Sequence, residues 1–342
     1  MNGILYFYDM AESHFLFPEN RPLRWGIIGC GSVAEKKSVP AYVNTPGFEV
    51  RMVMRRDAEK ARDYAERHKI AQWTTNADEV IDHPEIDAIY IATPPDSHKL
   101  YALKVAAAGK PCCIEKPMAP NYADSLAIYE AFHTKGIPLF VAYYRRSLPR
   151  FLKVKQWLDE GLIGDVRHIH WQKTKPPSDI DLSGEYNWRT DGKVAPGGYF
   201  DDLASHGLDL FTFLLGDVQT AHGIALNQQG LYAAHDTVSG TWLHEGGITG
   251  TGLWNFGSFL RVDKVDILGS AGKISFAVLD EAPLIFENGS GQQSIEILHP
   301  DHVQQFHVEN IREHLLGKAT HPSTGKTGLH TSWVMDRILG NG

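Results

Sequence analysis

The sequence predicts an α/β protein in two parts. The first is a doubly wound parallel sheet, and the second is an α/β domain with a large open, mostly antiparallel sheet. The length of 342 residues favours two domains. Short Val- and Ile-rich runs alternate with helix-like stretches up to about residue 145, and longer strands of alternating polarity follow. We therefore predict an N-terminal arm (1–22), a first domain (23–147) and a second domain (148–342).

The first domain should contain parallel strands that are buried on both faces. Their apolar runs are LRWGIIG, FEVRMVM, DAIYIAT, PCCIE and PLFVAYY. Helix-like stretches at 58–68, 97–108 and 122–135 separate several of them. Strands without polar alternation that alternate with helices are typical of a doubly wound parallel sheet.

The second domain begins with a predicted helix at 150–161. Its strands alternate apolar and polar residues, which is typical of a sheet with one buried face. They are DVRHIHWQK, DTVSGTWLH, ITGTGLWNF, VDKVDILGS and KISFAVL. Further helices are predicted at 199–215, 302–316 and 327–339.

Composition and charge exclude several classes of partner. The formal net charge of −8 gives no electrostatic support for binding nucleic acid. No apolar run is long enough to span a bilayer, and we expect neither a signal peptide nor a membrane partner. The three cysteines, Cys30, Cys112 and Cys113, do not form a disulfide framework or a zinc-binding pattern. We expect a reducing compartment, the cytoplasm, and no metal site.

A glycine-rich loop follows the first predicted strand. The segment WGIIGCGSVA contains Gly29-x-Gly31-x-x-Ala34 between a strand and a probable helix. The first glycine permits a tight turn, the second lets the backbone approach a diphosphate, and a small third residue lets the helix pack on the strand. The motif alone is weak evidence, but this setting predicts a Rossmann dinucleotide site at Gly29, Gly31, Ser32 and Val33.

The end of the second strand should contact the adenosine ribose of the dinucleotide. NAD enzymes usually have an acidic residue there. This chain has Arg55 and Arg56 instead, and arginines bind a 2′-phosphate through charge-assisted hydrogen bonds. We therefore favour NADP(H) over NAD(H). Two alternatives stay open. A shift of the chain by two residues would bring the Asp57 carboxylate to the ribose, or both arginines are solvated residues at the start of a helix and bind no cofactor.

Two strand ends should meet at one edge of the first sheet. One strand ends in Thr93-Pro94-Pro95 and the next in Glu115-Lys116-Pro117. Ligands of open α/β sheets bind at the carboxyl ends of the strands. Lys116 is therefore a candidate catalytic residue, although a solvated strand end would also explain it.

The predicted helix at 199–215 carries a polar stripe. Asp202, His206 and Asp209 are spaced i, i+4 and i+7 and so share one face. The stripe suits the wall of a cleft, with a solvated helix face as the alternative. A zinc site is less favoured because the helix offers too few ligands.

On these motifs the chain resembles the glucose–fructose oxidoreductase/inositol dehydrogenase/rhizopine-catabolism (Gfo/Idh/MocA) family. The resemblance covers residues 23–340, and its most specific segments are TPPDSH, AGKPCCIEKP and GGYFDDLASHGLD. It implies a Rossmann domain followed by an α/β domain whose open sheet often forms a dimer interface. It also implies oxidation or reduction of sugars, polyols and cyclic alcohols with NAD(P).

The resemblance also implies roles for individual residues. Lys116 would lie near nicotinamide and substrate, and His206 would be the acid/base. Asp202 would contact the substrate or tune the site. Tyr144 and Arg145 would contact substrate or cofactor. Four other positions would line the cofactor together with Lys116: Thr93, Pro94, His98 and Glu115. The segment YNWRTD, with Trp188 and Arg189, would line it as well. Two features depart from the family pattern, PGGYF in place of a triple glycine and the adjacent pair Asp201-Asp202.

The sequence therefore predicts an NAD(P)-dependent oxidoreductase acting on a sugar-like small molecule. A homodimer or homotetramer through the second sheet is expected. Two alternatives stay open at this point. One is an enzyme resembling dihydrodiol dehydrogenases that acts on a non-sugar ring, and the other is a non-catalytic dinucleotide sensor.

Overall fold

The computed structural model describes residues 20–341 and contains two sheets, as predicted. Residues 1–19 of the predicted arm lie outside the described part. The first sheet has six strands in the order β3-β2-β1-β4-β5-β6, and every ladder in it is parallel. Its strands are β1 Leu23–Ile28, β2 Phe48–Met54, β3 Gln72–Thr74, β4 Ala88–Ile91, β5 Cys112–Ile114 and β6 Leu139–Val141.

The helices of this half are α1 Val39–Asn44, α2 Ala58–His68, α3 Ala77–Ile81, α4 His98–Ala107 and α5 Tyr122–His133. Polar side chains cap the starts of α2, α3 and α5, whereas no side chain caps α1 or α4. The Asn121 side chain accepts a hydrogen bond from the Asp124 backbone N–H and caps α5. Gly109 and Gly136 follow α4 and α5 with φ of 74° and 62°, a conformation that glycine adopts without strain.

The second sheet has eight strands, and all its described ladders are antiparallel except the β7–β10 pair. Its order is β14-β13-β12-β11-β7-β10-β9-β8. The strands are β7 Val166–Thr174, β8 Val218–Leu226, β9 Thr237–His244, β10 Thr249–Asn255, β11 Val262–Gly269, β12 Gly272–Phe276, β13 Leu284–Asn288 and β14 Gly291–Ile295. The strands β8, β13 and β14 were not predicted.

The remaining helices are α6 Pro149–Asp159, α7 Asp179–Ser183, α8 Tyr199–Leu215, α9 Gln305–Leu315 and α10 Gly325–Leu339. Helix α8 is almost wholly buried. Gly207 lets α8 lie directly against β7, because a Cβ there would be 2.3 Å from the Trp171 ring. This close approach sets the depth of the neighbouring His206.

The two C-terminal helices pack against the first sheet although they follow the second in sequence. Val308, Ile311 and Leu315 of α9 share a core with Trp25 and Phe140, and α10 adds Leu329 to the core on the other face. These contacts join the two halves behind the site. No helix within residues 20–341 has the length and apolar character needed to cross a lipid bilayer.

Candidate active site

A cavity of about 670 Å³ lies at the carboxyl ends of the first sheet and extends to the second domain. Thirteen of the predicted site residues line it, from the glycine loop, the ends of β4, β5 and β6, and the segments around α8. They are Gly31, Ser32, Val33, Thr93, Pro94, Glu115, Lys116, Tyr144, Arg145, Trp188, Arg189, Asp202 and His206. Four predicted residues are absent from the lining: Gly29, Arg55, Arg56 and His98.

The glycine loop has the geometry that a dinucleotide diphosphate needs. Gly29 has φ of 103°, and a Cβ there would lie 2.8 Å from the backbone of Ala92 and Thr93. Gly31 differs, because a Cβ would meet no described atom within 4 Å and would occupy the space in front of the loop. Ala34 is fully buried behind it. The loop therefore fits a diphosphate bound against Gly31.

The chain continues from this loop through a π-helical segment, Ala34–Ser38, into α1. Pro40 lies in the first turn of α1, where its missing N–H is tolerated. The helix type changes from π to α between Ser38 and Val39, directly before this proline.

The three charged residues after β2, Arg55, Arg56 and Asp57, are not part of the cavity lining. Arg55 Nη1 donates to the carbonyl oxygen of Cys30 at 2.8 Å, while the Arg56 side chain is exposed. The Asp57 carboxylate caps α2 by accepting from the Lys60 N–H at 3.1 Å and pairs with Lys60 Nζ. Asp57 is therefore already engaged as the cap of α2.

His98 joins the two strand ends from behind. It is fully buried, with Nε2 2.8 Å from the Thr93 carbonyl oxygen and Nδ1 3.1 Å from that of Pro117. Burial lowers the pKa of its imidazole. His98 thus positions both the β4 and β5 termini rather than reaching the cavity.

Glu115 holds the turn that presents Lys116. Its buried carboxylate accepts hydrogen bonds from Tyr90 Oη and Gln304 Nε2, both at 2.6 Å, and from the Lys116 backbone N–H at 3.1 Å. Gln304 comes from the segment before α9 and was not predicted. The hydrogen bond from Gln304 to Glu115 connects the start of α9 to the residue next to Lys116.

Lys116 and Asp202 form the central ion pair of the cavity. Lys116 Nζ lies 2.5 Å from Asp202 Oδ1 and 2.9 Å from the Asp202 carbonyl oxygen. Arg189 Nε donates to the other carboxylate oxygen at 2.6 Å. Both members of the pair are only 11% exposed at their side chains. An ammonium group has three N–H donors, so Lys116 retains one for a ligand.

The two adjacent aspartates have opposite environments. Burial alone would raise the pKa of Asp202, but the positive charges of Lys116 and Arg189 outweigh it and hold that pKa well below its ordinary value. Among the described residues, Asp201 accepts a hydrogen bond from the Gly197 N–H alone, at 2.9 Å, and burial raises its pKa to about 7. Asp202 is therefore the anion that faces Lys116, and Asp201 belongs to the start of α8.

His206 stands one helical turn beyond Asp202 and is 5% exposed. Its ring meets the Tyr144 ring edge-on, with centroids 5.3 Å apart. Nδ1 is buried and has no hydrogen-bond partner among the described residues. Burial lowers the pKa of His206 well below its ordinary value, and the nearby charges of Arg145 and Lys116 lower it further. The imidazole is thus neutral at pH 7 and can accept a proton.

Asp209, the third member of the polar stripe, has a different role. It is fully buried and forms two 2.8 Å hydrogen bonds with the guanidinium of Arg146. Thr331 Oγ1 of α10 also donates to it at 3.1 Å. The far end of the stripe therefore secures α8 to its neighbours.

Several basic side chains of the cavity were missed by the sequence analysis. Lys37 follows the glycine loop, Lys173 and Lys175 lie at the end of β7, and Arg261 precedes β11. Alternation along β7 contained the signal, because Lys173 shares the buried face with Ile169 and Trp171. An inward-facing lysine at a strand end marks a polar cavity.

Taken together, the cavity places an ammonium donor and a neutral imidazole beside a dinucleotide-type loop. This arrangement can move a proton to or from an oxygen held between Lys116 and His206. Within residues 20–341, no cluster of three or more His, Cys, Asp or Glu side chains is arranged to hold a metal ion.

Comparison with known proteins identifies both halves of the chain. Residues 23–143 match the model described as "Oxidoreductase family, NAD-binding Rossmann fold", and residues 151–275 match the "GFO/IDH/MocA C-terminal domain". The chain is 37% identical over 319 residues to Oxidoreductase P35 of Formosa agariphila, covering 93% of this chain and 98% of the relative.

Two further comparisons extend the range of similar enzymes. The chain is 25% identical over 251 residues to trans-1,2-dihydrobenzene-1,2-diol dehydrogenase of Sus scrofa, covering 73% of this chain and 72% of that enzyme. A levoglucosan dehydrogenase solved with NADH and levoglucosan has the same fold. The TM-score is 0.84 at 23% identity, covering 94% of this chain and 97% of that one.

Proposed function

Because this chain belongs to the Gfo/Idh/MocA family of oxidoreductases, we propose a specific reaction for it. It transfers hydride between a nicotinamide dinucleotide and the hydroxyl-bearing carbon of a sugar, polyol or related cyclic alcohol. The observation that carries this proposal is that Lys116, Asp202 and His206 line the same cavity as Gly31 of the dinucleotide loop.

In this proposal the protein manages the proton and the substrate oxygen. A bound nicotinamide supplies the hydride acceptor or donor. His206, neutral because of its lowered pKa, accepts the hydroxyl proton as the alcohol is oxidised. Lys116 donates its remaining N–H to the same oxygen and stabilises its developing negative charge.

The other charged groups orient this pair. Asp202 holds the Lys116 ammonium through two contacts, and Arg189 fixes the second carboxylate oxygen. Since Asp202 stays ionised, Lys116 keeps a fixed counter-ion while the substrate oxygen changes charge.

A turnover screen tests the proposed function. Purified protein is offered NADP⁺ or NAD⁺ with sugars, sugar acids, polyols and cyclic diols, and reduced nicotinamide is followed by absorbance. We expect turnover on one class. Sugar or polyol turnover supports this proposal, and turnover on cyclic diols alone would assign the substrate to the dihydrodiol type. Tight dinucleotide binding without turnover on any compound would favour a sensor.

For the cofactor, we propose NADP(H) in preference to NAD(H). The Arg56 side chain is exposed just after β2, and Asp57 is engaged as a helix cap. We expect Arg56→Ala to raise the Kd for NADP⁺ by roughly 10- to 100-fold, because charge-assisted hydrogen bonds contribute about 1.5–3 kcal/mol, with little change for NAD⁺. Arg62→Ala, at an exposed position on α2, is the control. Equal affinity of the wild type for both dinucleotides would contradict this preference.

We also propose that copies of the chain associate through the outer face of the second sheet. Ile224, Leu253 and Leu268 are 63%, 36% and 40% exposed on its strands, and such apolar faces are normally covered. Sedimentation velocity should give two or four times the mass of one chain, and Leu253→Lys should lower it. Leu298→Lys, at an exposed site outside the sheet, should not. A wild-type mass of one chain would contradict the proposal.

A further inference from the structure

The described lining of the cavity that contains His206 is strongly basic, although the chain as a whole is acidic. Seven basic side chains and only three acidic ones line the cavity, whereas the formal net charge of the chain is −8. Buried charges are costly unless they are paired. Surface charges can be explained by solubility, but the basic side chains that line this cavity cannot.

Pairing accounts for only some of these charges. Asp202 is shared by Lys116 and Arg189, and Asp280 pairs with Arg261 at 2.7 Å. Glu115 accepts from Tyr90, Gln304 and a backbone N–H. Besides Lys37, which follows the glycine loop, three basic side chains then lack a dedicated counter-ion among the described lining residues: Arg145, Lys173 and Lys175.

Lys173 is the most deeply placed of the three. Its side chain is 3% exposed, and its ion-pair partners Asp263 and Asp280 are both 4.0 Å away. Asp263 is already satisfied, since it accepts from Trp171 Nε1 at 2.9 Å and from the Leu279 N–H at 2.6 Å. Among the described residues, Lys173 Nζ has no acceptor within hydrogen-bond distance.

Arg145 and Lys175 also have donors to spare. Arg145 is 5% exposed, and its Nε donates to the Val278 carbonyl oxygen at 2.8 Å. Its Nη1 is buried without a partner in the described part of the chain. Lys175 Nζ lies 3.8 Å from the centre of the Tyr199 ring and 3.9 Å from the Asp181 carboxylate. That carboxylate already accepts from Tyr199 Oη at 2.7 Å.

From these three side chains we propose that the substrate is an anion. A negatively charged oxygen group of the substrate, such as the carboxylate of a sugar acid, binds between Arg145, Lys173 and Lys175. This inference rests on the proposed function and narrows its substrate class. The anionic group anchors the substrate beside His206, because Arg145 follows Tyr144, whose ring packs on the imidazole. A sulfate or phosphate ester of a sugar offers the same chemistry.

The phosphates of the dinucleotide are the competing anions. In the proposed binding mode they lie at the glycine loop and near the end of β2, and none of these three residues belongs to either segment. Lys173 and Lys175 come instead from the end of β7 in the second sheet. Two anion sites, one in each half of the cleft, follow from this arrangement.

Calorimetric titration of the NADPH-loaded protein tests the inference. The carboxylate probes are D-gluconate and D-glucuronate, with sorbitol and D-glucose as their neutral counterparts. D-glucose 6-phosphate and D-glucose 6-sulfate test the ester alternatives. We expect at least one anion to bind ten or more times more tightly than its neutral counterpart. Lys173→Met should remove most of that difference.

Two variants serve as companions to Lys173→Met. Lys264→Met replaces a 58% exposed lysine of β11 and should bind as the wild type does. Lys175→Met should weaken anion binding as well. This second variant keeps the test valid if Lys173→Met does not fold. Equal binding of charged and neutral probes, or binding of neither, would overturn the inference.

The readouts separate this inference from the proposed function. NADPH affinity is measured on every variant, and a loss of NADPH affinity without a loss of anion affinity would assign the lysines to the cofactor and overturn the inference. Turnover of neutral sugars without any preference for anions would reject this inference alone. Anion binding that depends on Lys173, without turnover of any compound, would support it and reject the oxidoreductase reaction.

Discussion

Replacing Lys116 with methionine is expected to lower kcat by about 10³-fold, the scale found when one stabilising donor is removed from a reacting oxygen. Methionine keeps much of the aliphatic length but removes all three N–H donors. The substrate oxygen then loses its charged partner, while Gly31 and the rest of the glycine loop, the proposed diphosphate site, are untouched. The affinity for the dinucleotide should stay nearly unchanged.

Steady-state turnover and dinucleotide fluorescence titration measure the two effects separately. Lys104→Met is the matched control, because Lys104 is 44% exposed and pairs with Asp78 on the surface. The melting temperature must also be compared, since the variant leaves Asp202 buried with Arg189 as its remaining partner. A folded Lys116→Met protein with wild-type kcat would eliminate the proposed role of Lys116.

The second large effect is expected at His206. His206→Gln should lower the rate of alcohol oxidation by about 10²- to 10⁴-fold, the usual contribution of a positioned acid or base. The pH dependence should change as well. A base acts in its deprotonated form, and burial lowers the pKa of His206 well below 6.5. For the wild type, kcat/KM for oxidation should therefore be level near neutral pH and fall only at acid pH.

The pH profile distinguishes this role from a structural one. His206→Gln should lose the acidic fall in kcat/KM together with its rate, whereas His222→Gln, at an exposed position on β8, should retain both. If His206→Gln kept the wild-type rate and the same acidic fall, another group would be the base.

The architecture of the first domain was predictable because its signals are local. Apolar strands alternate with helices, and turn residues such as Gly29 and Gly31 mark the loop between them. Two of the unpredicted strands are short or polar: β3 has three residues, and β14 is almost wholly exposed. Strands of this kind form because a neighbouring strand offers hydrogen bonds, which their own sequence does not indicate.

Long-range contacts were beyond sequence reasoning. Nothing in the pattern of α9 shows that Ile311 and Leu315 complete the core around Trp25. In the same way, helix periodicity groups Asp209 with His206, but only the fold shows that Arg146 neutralises it.

Cavity residues that stand in a sequence motif could be named from the sequence. Cavity residues that are distinguished only by their burial could not. Lys116 and His206 stand in recognisable segments and lie in one cavity. Asp201 and Asp202 are adjacent, and only their surroundings separate an ion-paired carboxylate from one whose pKa burial raises to about 7. The sequence around Lys173 indicates its role only weakly. Alternation along β7 places its side chain on the buried face, but the sequence does not show that a cavity lies there.

The most direct test of the central claim is a crystal structure of the protein with bound NADP⁺. The account predicts the diphosphate against Gly31 and the nicotinamide ring inside the cavity, with its reactive carbon facing Lys116 and His206. A substrate carbon about 3.5 Å from that carbon would then bring its oxygen within hydrogen-bond reach of both side chains. A nicotinamide ring outside the cavity, or turned away from Lys116 and His206, would contradict the account.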